Sequence, residues 1–290
     1  GLLIMIFTER QDSTPSFAVD THAHVYDLTR YPFHESSGFS ILANETGTAQ
    51  HYAAVLDAHG MSHAVLINPL GGYGVDNRNM LDVIAASNGR FKGIAVVPHD
   101  ITEAQLDAMI SAGVVGIRFN LSFEASPALT GAGGARLLSL AEERGLIVQI
   151  HYHEEAHLLA AFDILRVCRS PIVIDHCGRP ILEKGVNQPG FQALLELGRS
   201  DNAIIKLSAL FRSSRQGWPY HDADPYVARL IDVFSENRCI WGSDWPFLRA
   251  NTRIDYGPEL SSLSHWFPDM ADQCKVLWDN PARIFGFKEE

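Results

Sequence analysis

The chain has 290 residues, 46% hydrophobic and 20% charged, with a formal net charge of −11. That length can bury a full core, as one large α/β domain or two small ones. The negative balance argues against a nucleic-acid partner, whose phosphates need a positive surface, yet leaves room for a basic residue that holds a small anion in a pocket.

From residue 17 onward, apolar runs of β type alternate with segments of helical period. Strands are predicted over 17–25, 63–69, 91–98, 114–121, 146–153, 171–176, 203–208 and 239–243. Helices are predicted over 48–60, 77–89, 102–113, 134–145, 154–170, 189–200 and 224–237, with a last helical region over 258–285. Thr46 and Thr48 are candidate caps for the first helix, and a Thr-Glu signal at Thr102 opens the third. Strands apolar along their whole length need cover on both faces, and eight strand–helix units close most economically into a single (β/α)8 barrel. An open doubly wound sheet would place a glycine-rich phosphate loop after the first strand, where this chain has His-Ala-His. We therefore expect one α/β domain over 17–290, preceded by an arm over 1–16. The apolar stretch Gly1–Phe7 is too short to cross a bilayer and has no basic flank, and no later run is long enough for a membrane helix. Four cysteines (Cys168, Cys177, Cys239, Cys274) lack CxxC spacing and lie in or beside apolar segments, as reduced thiols of a cytoplasmic protein do.

In a barrel, residues at the strand C-termini converge on one rim. Here they are His22 and His24 after strand one, His151 and His153 on strand five, His176 on strand six and Asp244 on strand eight, between Trp241 and Trp245. Each has a structural explanation alone. Together, imidazoles and a carboxylate form the donor set that zinc or a similar divalent ion selects. His153 is expected to face the helices or solvent, and strict alternation would keep Asp175 and His176 on opposite faces. Arg118 and Arg212 are candidates for a substrate carboxylate, against a structural pairing such as Arg118 with Asp244. Lys206 could face either layer. The loop Asn68–Asn77 either brings Asn68, Tyr73 and backbone NH groups to a ligand or is a turn with a cap at Asp76 or Asn77.

Five segments taken in order, VDTHAH (19–24), VGIRFN (115–120), VIDHCGRP (173–180), WGSDWP (241–246) and NPARIFG (280–286), resemble the amidohydrolase-related TIM-barrel hydrolases. The branch is that of 2-pyrone-4,6-dicarboxylate hydrolase and the sugar-lactone and muconolactone hydrolases. The resemblance implies opening of a lactone, usually carboxylated, by water. Asp244 is implied as general base, His22, His24 and His176 as the histidines that polarise the carbonyl, and Arg118 and Arg212 as carboxylate holders. Glu124 stands near where pyrone-dicarboxylate relatives carry another arginine and would repel a second carboxylate; Phe247 and His151 also depart from the pattern. Metal-dependent members, decarboxylases among them, imply a mononuclear Zn or Mn site of His22, His24, His151 and Asp244, whereas the pyrone hydrolase implies no metal. The expected partner is a small anionic lactone met by a monomer or homodimer. The alternatives are a metal-dependent decarboxylase of a muconate-semialdehyde-like acid, a sugar-lactone hydrolase or isomerase, and a barrel that binds an anionic metabolite without turnover.

Overall fold

The computed structural model describes residues 15–290, so the arm expected over 1–16 lies almost wholly outside the described residues. Eight strands, β1 (Val19–Ala23), β2 (His63–Ile67), β3 (Phe91–Ala95), β4 (Val114–Asn120), β5 (Ile147–His151), β6 (Ile172–Ile174), β7 (Ala203–Ser208) and β8 (Cys239–Gly242), form one sheet in sequence order. All seven ladders are parallel. The seam between β8 and β1 closes through a parallel bridge of Ala23 with Trp245, and His24 N donates to Trp245 O at 2.9 Å. Thr21 Oγ1 adds a bond to Trp241 O at 2.7 Å. This is the expected (β/α)8 barrel.

The main outer helices are α1 (Ala49–Ala58), α2 (Arg78–Ala86), α3 (Glu103–Ser111), α4 (Gly131–Arg144), α5 (Glu155–Val167), α6 (Pro189–Leu197), α7 (Asp224–Phe234) and α8 (Tyr256–Trp266). Thr48 caps α1 by accepting from His51 N. The capping box of α3 is Thr102 with Gln105, while Glu103 sits in the first turn. The helical region predicted over 258–285 is α8 followed by three short pieces, Met270–Cys274, a π-helical turn at Lys275–Asp279 and Asn280–Phe285.

Several strands end two or three residues before their predicted ends, β5 at His151 rather than 153 and β6 at Ile174 rather than 176. The apolar run continues because the chain leaves the ladder but stays beneath the helices. Val25, Val96, Val97 and Tyr152 are all buried. Burial outlasts pairing at the rim.

Two apolar layers result. One lies between strands and helices. The other fills the lower barrel with Val19, Val65, Ile67, Ile94, Ile147, Val173, Ile204 and Ile240, closed by Trp278, Phe285 and Phe287 of the C-terminal segment. Above this plug the inward residues turn polar: Gln149, Lys206 and Arg118, then the histidines. Cys168, Cys177 and Cys239 are buried free thiols. No helix of the described residues is long and apolar enough to cross a membrane.

Candidate active site

Asp244 stands just past β8, 2% exposed, at a left-handed φ of 61°. The turn that carries it is fastened from behind. Asp20 accepts from Ser243 N at 2.9 Å and Ser243 Oγ at 2.6 Å, and from the hydroxyls of Tyr52 (α1) and Tyr256 (α8) at 2.8 and 2.9 Å. Burial raises the proton affinity of Asp20, and these donors oppose it. Asp20 thus faces the helices, whereas His22, two residues on, faces the barrel axis. A register shift in β1 between Asp20 and Ala23 permits this break of alternation. Gly242 leaves the room His22 needs, since a Cβ there would lie 2.7 Å from the His22 Cβ.

Three imidazoles ring Asp244. The Nε2 atoms of His22 and His24 stand 3.5 and 3.6 Å from its Oδ1, and His176 Nε2 stands 3.8 Å from its Oδ2. His24 Nδ1 meets the Ile67 carbonyl at 2.9 Å, so Nδ1 carries a proton, and in the neutral ring Nε2 then bears the lone pair. His176 Nδ1 is held by Ser208 Oγ at 2.7 Å. Burial lowers the His176 pKa to about 3 despite the neighbouring carboxylates of Asp244 and Asp175, and burial drives His22 well below 6.5. Both are neutral. Burial alone would raise the Asp244 pKa, but Arg212 and the histidines overcome it and hold the group well below 3.8. Arg212 Nε donates to Oδ2 at 2.7 Å.

Beneath the ring lies a buried charge cluster that sequence periodicity hid. Arg118 donates from Nε to Asp175 Oδ2 at 2.9 Å, and its Nη2 is also 2.9 Å away, so the pairing considered with Asp244 is made with Asp175 instead. Lys206 faces the barrel axis, fully buried, with Nζ 3.1 Å from Asp175 Oδ1. Gln149 Nε2 adds a bond to Asp175 Oδ2 at 3.1 Å. Burial would raise the Asp175 pKa, but Lys206 and Arg118 hold it well below 3.8. Alternation placed Asp175 and His176 on opposite faces because it assumed an extended chain. At His176 the chain takes φ 55° and enters a 3-10 turn, so both side chains reach the centre.

His151 and His153 border the ring. Their centroids lie 4.9 Å apart, and His151 lies 5.4 Å from His176. His153 follows β5 in the loop, where Arg179 Nη1 reaches its Nε2 at 3.1 Å. Arg179 escaped the sequence reading although it lies in the HCGRP segment, and no carboxylate among the described residues pairs with it. Burial and the nearby Arg212 lower its pKa to about 10. Arg179 and Arg212 make the rim positive, and Arg118 adds its charge from below. Asn68 Nδ2 donates to the carbonyls of Gly74 and Asp76 while its buried Oδ1 has no partner, and Tyr73 OH donates to Tyr31 O and accepts from Asp27 N. Asn77 is the N-cap position of α2, but its side chain ties to Val96 rather than to the helix. Glu45 fastens the long β1 loop to Arg249 beyond β8. Glu124 lines a side cleft of about 490 Å³ with Ser122 and His157, not the Asp244 ring.

Residues 19–287 match the family described as Amidohydrolase. The chain belongs to the amidohydrolase family. It is 32% identical over 278 residues to the 4-sulfomuconolactone hydrolase of Rhizobium radiobacter, which covers 94% of this chain and 91% of that one. It is 31% identical over 295 residues to the 2-pyrone-4,6-dicarboxylate hydrolase of Comamonas testosteroni, covering 96% and 93%. A crystal structure of a putative 2-pyrone-4,6-dicarboxylic acid hydrolase from Pseudomonas putida superposes with a TM-score of 0.83 at 31% identity, covering 96% and 100%.

An ion held by this ring would need several donors brought close together. His22, His176 and Asp244 offer ligand atoms within 4.8 Å of one another. That compact set includes His176 and neither of the predicted His24 and His151, the latter with its Nδ1 buried without a hydrogen-bond partner. The spacing suits an ion; the charge and the donor set do not. Arg212 already occupies Asp244 Oδ2, and Lys206 Nζ contacts His22 Nδ1 at 3.0 Å. Arg118, Arg179, Lys206 and Arg212 outnumber Asp20, Asp175 and Asp244 before any ion arrives, and an excess of positive charge in the interior repels a dication. The same excess suits an anion.

Proposed function

We propose that this amidohydrolase opens a lactone that carries a negatively charged group. The observation that carries the reading is a buried carboxylate, Asp244, ringed by three imidazoles beneath a rim that carries Arg179 and Arg212. The two curated relatives are named for substrates that combine a cyclic ester with an acidic group, sulfo or dicarboxylate.

The chemistry follows from donors and acceptors. A water between Asp244 and His24 gives up one proton to Asp244 Oδ1 as its oxygen attacks the ring carbonyl. The carbonyl oxygen gains negative charge, and the His22 Nε2 side of the ring is where a donor can stabilise it. When the C–O bond of the ring breaks, Asp244 returns the proton to the departing oxygen, leaving a hydroxy acid. Arg179, with His153 beside it, holds the substrate's anionic group. Arg212 is bound to Asp244 in the free protein, so an anion that draws it away would also leave Asp244 more basic. Arg118, closed on Asp175, acts on the substrate by its charge at short range.

A metal-dependent decarboxylase needs His22, His24, His151 and Asp244 around one ion, and the compact cluster and its charge favour the lactone reading over it. The test is a panel of anionic and neutral lactones, followed by continuous ring-opening assay and carbon dioxide detection. Asp244→Asn is expected to lower kcat by about 10²–10⁴-fold with the fold intact. Carbon dioxide release without ring opening, or an Asp244→Asn variant that keeps most of its turnover, removes the proposal.

A further inference from the structure

The two histidines of the His-Ala-His segment have the same residue type and opposite hydrogen bonding. His24 Nδ1 faces a carbonyl, which only accepts, and so in the neutral ring its Nε2 bears the lone pair. His22 Nδ1 faces Lys206 Nζ at 3.0 Å, within hydrogen-bond distance, whereas the nearest acceptor, Asp175 Oδ1, stands 3.6 Å away, beyond it. The other neighbours of this fully buried Nζ are the Thr21 carbonyl at 3.1 Å, to which it donates, and Asp175 Oδ1 at 3.1 Å, an ion pair without an aligned hydrogen bond. All three neighbours can accept. An ammonium has three N–H groups and no lone pair, so it matches this surround and requires His22 Nδ1 to accept. A neutral imidazole that accepts at Nδ1 carries its proton on Nε2. That Nε2 is buried, has no hydrogen-bond partner and points towards Asp244.

We propose that Lys206 is a positioning residue that takes the place of a resident metal ion: it fixes His22 as an Nε2–H donor aimed into the catalytic ring. The mechanistic half of this inference rests on the lactone reading, in which the donor meets the developing oxyanion. The half concerning metal does not, because an Nε2–H has no lone pair to give an ion whatever the reaction. His22 and His24 then divide the work that two ligands would share: one donates to the carbonyl oxygen, and the other accepts from the attacking water. Lys206 also supplies the positive charge, from within the fold and already paired with Asp175.

Two measurements test it. The first is a ¹⁵N–¹H correlation spectrum of protein labelled in its histidine rings, with His22 assigned by its loss in His22→Asn. The proton is expected on Nε2; a proton on Nδ1 overturns the proposal, and this readout needs neither substrate nor a Lys206 variant. The second is Zn²⁺ and Mn²⁺ binding by equilibrium dialysis after chelator treatment, for the parent and for Lys206→Met and Lys206→Gln. Both are done in a His265→Gln background, because His221, Asp224 and His265 form a second candidate cluster on the surface. Removal of the lysine frees His22 to carry its proton on Nδ1, so affinity for one ion is expected to rise by roughly tenfold or more. The gain should vanish on adding Asp244→Asn. Equal binding by parent and variants overturns the proposal. With substrate in hand, Lys206→Met should lower kcat far more than it changes KM. If no lactone is turned over, the tautomer and the metal affinities still stand or fall alone.

Discussion

The lower and upper halves of the barrel interior are built from the same strands and obey different rules. Below, inward residues such as Val65, Ile94, Ile204 and Ile240 need only fill space, and three aromatics close the end. Above, the inward residues are charged or titratable, and each must find a partner that the strand bearing it cannot supply. Asp175 lies beyond β6 and is answered from β4 and β7; Asp244 lies beyond β8 and is answered by Arg212 after β7. A plug tolerates imprecision because dispersion and burial are not directional. The charged half is specific because an unpaired ion in the interior is costly. Stability should therefore be separable from function in the lower half and tied to it in the upper.

The sharpest break of that contrast is Asp175→Asn, which leaves Lys206 and Arg118 buried without their counter-ion. A loss of about 3–5 kcal/mol is expected by denaturant melts, together with a fall in kcat, because the charges that orient His22 lose their anchor. In the plug, Ile240→Ala should cost about 2–5 kcal/mol by the same assay, yet leave kcat per folded molecule unchanged at low temperature. A parallel loss of activity there would show that the halves are not separable. At the rim, Arg179→Gln should lose about 1.5–3 kcal/mol of substrate binding, read as a raised KM for anionic lactones with little change for neutral ones.

The smallest expected effect is in pH dependence. The folded His176 pKa is about 3, below the value of 6.5 for the free side chain. The unfolded chain therefore takes up a proton that the native state refuses. The stability present above about pH 6.5 is lost as pH falls towards 3. In the middle of that window His176 contributes a slope of at most about 1.4 kcal/mol per pH unit. His176→Gln should flatten the melting profile by up to that amount between pH 6 and 4. An unchanged profile would place the His176 charge outside the native balance.

The local half of this protein was legible in its sequence. Eight apolar runs alternating with amphipathic segments specify a barrel, since each element's period says which face it buries. That organisation also placed His22, His24, His151, His176 and Asp244 at one rim, because strand ends converge. What the tertiary structure decided is how the charges pair. Arg118 meets Asp175 across 57 residues and Lys206 meets His22 across 184, and no period reports on such contacts. It also decided where the period fails. The register shift in β1 lets Asp20 face outward and His22 inward, and the left-handed turn at His176 brings that histidine to the centre beside Asp175, where alternation would have separated the two. Patterns of burial are written along the chain because hydrophobic contact asks only for a face. Ion pairing asks for a distance and a direction to one particular atom, which the fold alone supplies.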